Sequence, residues 1–163
     1  MNVLAKIKYI LEHLEKNKKG CYFIIKLMIE TKEIINAQND AKLYLSNIKK
    51  SDLNDDEIYV FLRKAIIAKL MIDENVDDSI RHMVVYSIKK KSFNSCLSDE
   101  TIKHQITKYD CHQTSLVAQT KVLLIMFIEN ELDIKYSDDE SLCDNLKELA
   151  TYTYKHLKEK QND

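Results

Sequence analysis

The chain contains no proline, no tryptophan and a single glycine in 163 residues. A β-sandwich or barrel reverses direction about every ten residues, and such turns draw heavily on Gly and Pro. Lacking both, this sequence excludes all-β architectures. One glycine also rules out a glycine-rich phosphate loop. No apolar run approaches the ~20 residues of a membrane-spanning helix. An excess of one charge is missing too, since 25 Lys and Arg face 26 Asp and Glu for a net charge of -1. A small domain that grips nucleic acid carries a basic surplus, and none is present. Cys21, Cys96, Cys111 and Cys143 form no C-x-x-C pair. That points to a reduced, cytoplasmic setting with the cysteines as small core residues. Met1 to Leu14 is amphipathic and holds Lys6, Lys8 and Glu12, unlike a secretory leader.

Hydrophobic residues make up 45% of the chain and charged ones 31%. That apolar share is too large to stay unburied, so sustained disorder is not expected. What remains is an all-α protein, a helical bundle of about six or seven helices whose loops use Asn, Asp and Ser. Val3, Leu4, Ile7, Ile10, Leu11 and Leu14 follow one helical face over 2–17. Gly20, just after a lysine-rich turn, predicts a helix end. A second helical stretch is predicted from Cys21 to Ile48, with a break between Asn36 and Asp40. Ser51 to Asp56 reads as a loop in which Asn54 or Asp55 caps the next helix. That helix buries Ile58, Phe61, Leu62, Ala65, Ile66 and Leu70.

The acidic connector Asp73 to Asp78 is the expected division of the chain. It separates an N-terminal helical extension, 1–75, from a second bundle, 76–163. Asp78 or Ser79 caps a helix to Lys91 with Ile80, Met83, Val84 and Ile88 inward. A short helix over Asp99 to Lys108 follows. Thr114 or Ser115 then caps a helix to Glu131 that carries the densest apolar run, Val122 to Ile128. Ser137 and Glu140 have capping-box spacing. The last helix places Leu142, Leu146, Leu149, Thr153 and His156 on one stripe. No internal repeat of roughly 20 to 50 residues is evident.

Chemistry-bearing clusters are few. Cys96, His104, Cys111 and His112 lie close in sequence, but their spacing departs from structural zinc sites, which favour two to four residues between cysteines. No metal site is expected. Cys111 with His104 as nucleophile and base is no better supported, because scattered cysteines and histidines supply such pairs by chance. The paired acids Asp55 with Asp56 and Asp138 with Asp139 read as helix first-turn residues. Catalysis by this chain is not expected. The lysine runs ending at Lys19 and Lys91 read as helix-end complements to the macrodipole.

The C-terminal half carries more pattern. Ile128, Glu129, Asn130, Glu131, Leu132, Asp133 and Ile134 close an apolar helix in an acidic turn. Asp138, Asp139 and Glu140 follow, and Leu146 to Tyr152 opens the last helix. This arrangement resembles acyl carrier proteins, whose second helix ends in an "L-E-x-x-F-D-I-x-I-x-D-E" phrase and whose last helix carries "T-V-x-D-L-x-x-Y-I". The resemblance covers about half the chain, residues 76 to 160, and centres on Val122 onward. It implies a small bundle with an openable apolar seam and a second helix that docks on protein partners. It also implies a 4′-phosphopantetheine arm on a serine at the start of that helix. At the family's spacing the serine position falls on Ala118, which has no hydroxyl. The nearest Ser-Leu is Ser115 with Leu116, so Ser115 is the candidate attachment residue if any cofactor is carried. Its other reading is a helix cap. Glu129, Glu131, Asp133, Asp138 and Asp139 are the candidate partner-binding acids.

Two functional expectations follow. One is an acyl-carrier-related, noncatalytic accessory protein of a biosynthetic or peptide-maturation pathway, degenerate and without a cofactor, or carrying phosphopantetheine. The other is a helical interaction or regulatory protein, such as a phage or viral host-factor binder, with no carrier role. Both expect protein partners, no nucleic acid and no membrane span.

Overall fold

The computed structural model describes residues 18–50, 52–94, 100 and 115–162. Among the described residues the chain is all-α, with six helices and one isolated β-bridge. In order these are α1 (Lys18–Lys50), α2 (Asp55–Leu70), α3 (Ile80–Asn94), α4 (Leu116–Leu132), the short α5 (Asp138–Leu142) and α6 (Leu146–Asn162). The helix expected over 2–17 lies outside the described residues, as does all but Glu100 of the one expected over Asp99 to Lys108.

Helix α1 differs from expectation. It runs straight through Gly20, and it does not break between Asn36 and Asp40. A glycine inside a helix costs about 1 kcal/mol relative to Ala, a cost a helix of 33 residues absorbs. Asn36, Gln38, Asn39 and Asp40 are all exposed. The polar patch marks a solvated face, and polarity alone does not interrupt backbone hydrogen bonding.

The chain divides into two compact units, Met1–Asn36 and Ala37–Asp163. The described part of the first unit is helical, with Ile29, Ile34 and Ile35 exposed. The second unit holds all the remaining helices. The division expected at 75/76 falls inside this second unit. One apolar cluster joins Leu45 and Ile48 of α1 and Leu62 and Ile66 of α2 to Met83 and Val84 of α3. The same cluster takes in Ile128 and Leu132 of α4 and Leu146 and Leu149 of α6. Acidic residues 73–78 therefore mark an exposed turn within one core, and no linker between two.

That core is built from two helix–loop–helix units. The first is α2, the connector 71–79 and α3. The second is α4, a longer connector that includes α5, and α6. Each leading helix ends on a left-handed residue, Met71 at φ 56° and Asp133 at φ 55°. The amide of the next residue bonds back five positions, Ile72 to Ile67 O at 3.2 Å and Ile134 to Glu129 O at 3.1 Å. This is the Schellman way of satisfying the last carbonyls of a helix. The two connectors then meet in an antiparallel bridge between Ser79 and Asn145. Ile80 N donates to Asp144 O at 2.9 Å, and Leu146 N donates reciprocally to Asp78 O at 3.0 Å. Beyond the bridge α2 packs on α6, and α3 packs on both α4 and α2. The repeat is invisible in sequence because α5 lengthens the second connector and the matching positions hold different residues.

Local signals place the helix starts well. Asn54 caps α2 in a full capping box with Glu57. Ser137 and Glu140 form the expected box on α5, and the Ser79 hydroxyl accepts from His82 N at 3.2 Å at the start of α3. Ile80, Met83, Val84 and Ile88 are buried as expected. On α6, Leu146, Leu149 and Thr153 are buried, but Leu142 sits on α5 and is exposed.

Candidate functional site

The junction of the two connectors is the most densely bonded polar region. Asp144 accepts from Ser79 Oγ at 2.7 Å and from the Arg81 amide at 2.8 Å. The Lys121 ammonium lies 3.4 Å away. Burial pushes the Asp144 carboxyl up, but the Ser79 and Arg81 hydrogen bonds and the Lys121 charge outweigh it and hold it below the usual carboxylate range. Asp144 therefore works as a cap for α3 supplied from the other helix–loop–helix unit. Its counterpart Asp78 takes the Tyr59 hydroxyl at 2.9 Å and Arg63 Nε at 3.3 Å. Arg63 also donates to the Glu74 and Val76 carbonyls at 2.8 and 2.6 Å. Each connector is thus gathered around a cation from the helix that precedes it. These groups satisfy one another, as a structural junction requires.

The acids expected to bind partners have mostly structural occupations. Glu129 accepts from Tyr136 N at 2.9 Å. Glu131 pairs with Lys42 of α1 at 2.9 Å. Asp133 is the left-handed cap of α4 and is paired with Lys160. Asp138 and Asp139 occupy the first turn of α5 and are exposed. Glu140 reaches His156 Nε2 at 2.9 Å, and this hydrogen bond, followed by that from Ser137 N, draws its carboxyl down to about 2. The same corner buries Tyr136, whose hydroxyl meets Thr153 Oγ1 at 2.6 Å. Burial raises the Tyr136 phenol far above its ordinary value.

Ser115 is the N-cap of α4, its hydroxyl accepting from the Ala118 amide at 3.2 Å. The two residues weighed for an attachment serine are thus the two ends of one capping bond. Asp55 with Asp56 and Asp138 with Asp139 stand in helix first turns, as expected. Cys143 is half-buried and therefore no core residue. Burial pushes its thiol up, away from a reactive thiolate. Cys96, His104, Cys111 and His112 lie outside the described residues. Among the described residues no group of three or more His, Cys, Asp or Glu is arranged to hold a metal ion, and no helix is long and apolar enough to cross a membrane.

The feature missed in the sequence is the outer face of α4. Val117, Leu124, Ile125, Ile128 and Leu132 point into the core. A helix turns every 3.6 residues, so the seven consecutive apolar residues from Val122 to Ile128 cannot all face inward. Val122, Leu123 and Met126 are left 55%, 65% and 48% exposed, with Leu116 exposed one turn or more earlier. On α5 Leu142 is 73% exposed, its carbonyl accepting from the Lys121 ammonium at 2.9 Å. The signal was there in the unbroken apolar run. A helix apolar all round normally has neighbours all round. No family model, curated protein or solved structure matches the chain.

Proposed function

We propose that this chain is a noncatalytic helical interaction protein in which α4 receives a helix of a partner protein. The observation that carries this reading is the exposed apolar face of Leu116, Val122, Leu123 and Met126. Those positions form one stripe down a single helix and carry no charge. The complement of such a stripe is a second helix with apolar residues at three- and four-residue spacing, packed ridge into groove. Burying each large side chain contributes about 1.5 to 3 kcal/mol, so a few of them suffice as the centre of an interface.

The test is substitution at the centre of the stripe. In affinity capture from the native cell the wild type is expected to retain a partner protein, and Leu123→Asp with Met126→Asp to lose it. The variant's thermal midpoint should stay within a few degrees, because exposed positions change stability by only about 0.5 kcal/mol each. Equal retention by both forms would contradict the proposal.

A second reading, the acyl-carrier-related one, is favoured by one observation: the short α5 stands between α4 and α6, where a carrier has its short third helix. Under it, a phosphopantetheinyl transferase with coenzyme A adds one phosphopantetheine group to Ser115, and Ser115→Ala removes the gain. An unchanged intact mass removes the functional carrier and leaves its degenerate, cofactor-free form beside the interaction reading.

A further inference from the structure

We infer that a groove at the opposite edge of α4, between the ends of α1, α4 and α6 and the start of α2, binds a small amphipathic monoanion, an apolar chain ending in one carboxylate. The groove encloses about 350 Å³, within the range of small-molecule sites. Its apolar surface comes from the half-buried Leu53, Tyr154 and Leu157, packed over Ile48, Ile58 and Leu132, which are sealed beneath. The mouth carries the opposite chemistry, with Lys49, Lys158 and Lys160 standing around it.

Charge selects the ligand. Lys158 is paired with Asp52 and Lys160 with Asp133, and these two carboxylates are 80% and 74% exposed. Lys49 makes no direct ion pair among the described residues, and its charge acts at longer range on Asp133, which Lys160 pairs. Three ammonium groups against two carboxylates leave one positive charge at the rim, which one carboxylate neutralises. Exposed ion pairs are worth between about 0 and 1 kcal/mol, so a ligand carboxylate exchanges for Asp52 or Asp133 at small cost. An apolar chain on that surface then supplies about 0.8 kcal/mol per methylene buried. A cation is repelled at the mouth, and a neutral chain forgoes the lysines.

The experiment is calorimetric titration of the full chain with decanoate, decanol and decyltrimethylammonium, each below its micelle concentration. Decanoate is expected to bind at one site, about threefold more tightly than decanol, and the ammonium compound not at all. Lys49→Glu with Lys158→Glu, both at the surface, should weaken decanoate about tenfold and leave decanol unchanged. Leu157→Trp, which fills the groove, should abolish binding of both. Leu123→Asp, on the other face of α4, should alter neither, which separates this groove from the exposed stripe. Equal affinity for decanoate and decanol, absence of binding, or decanoate binding insensitive to the lysine pair would each overturn the inference.

Discussion

At the scale of single residues, the corner around Glu140 shows how one side chain serves two elements. Its carboxylate closes the capping box of α5 and bonds His156 of α6, so it pins a short helix to a long one. Its folded-state pKa of about 2 lies below the ordinary 4.5. A depressed carboxylate stabilises the fold fully above the unfolded value, and that contribution disappears as pH falls toward the folded value. Acid unfolding is therefore expected to gain a component between about pH 4.5 and 2. Glu140→Gln should cost about 2 kcal/mol at neutral pH and flatten the profile in that window, as measured by urea titrations at a series of pH values. The Ser137–Glu140 spacing disclosed the capping half of this role. The His156 half depends on bringing residues 16 apart in sequence face to face, and nothing local encodes that.

Among elements, the junction of the two connectors decides how the helices are paired. Helix starts were legible in sequence, because a cap is a contact between residues three apart and Asn54, Ser115 and Ser137 announce it. The partner of each start was not. Asp144 caps α3 from 63 residues away, and a side chain that reads as a loop acid gives no sign of the amide it will accept. Asp144→Ala is expected to destabilise the fold by about 2 kcal/mol, since it strips acceptors from Ser79, the Arg81 amide and Lys121 together. Chemical denaturation of that variant, compared with Asp138→Ala, checks it. Asp138 stands exposed in the first turn of α5 and should change stability by less than about 0.5 kcal/mol.

On the scale of the whole molecule, the acidic connector separates no domains. Ile58, Leu62 and Ile66 of α2 lie in one cluster with Leu146 and Leu149 of α6. A fragment of residues 76–163 would expose the faces of α3 and α6 that α2 covers. It is expected to lack a cooperative thermal transition, whereas the full chain shows one. A sharp transition in the fragment, followed by circular dichroism, would restore the division at 75/76. The face of α4 belongs to this scale as well. Whether Leu123 is core or surface depends on how many neighbours α4 acquires, and α3 is the helix packed most closely against it.

Composition and periodicity alone determined the all-helical class, the starts of α2, α3 and α4 and the inward stripe of α3, because these follow from turn chemistry and from neighbours within four residues. Only the tertiary structure decided that both halves share one core, that the connectors are bridged between Ser79 and Asn145, and that part of the most apolar helix faces outward. Those outcomes rest on contacts between residues far apart in the chain, where the energy of burial depends on which surfaces meet and a local pattern specifies only that some surface must.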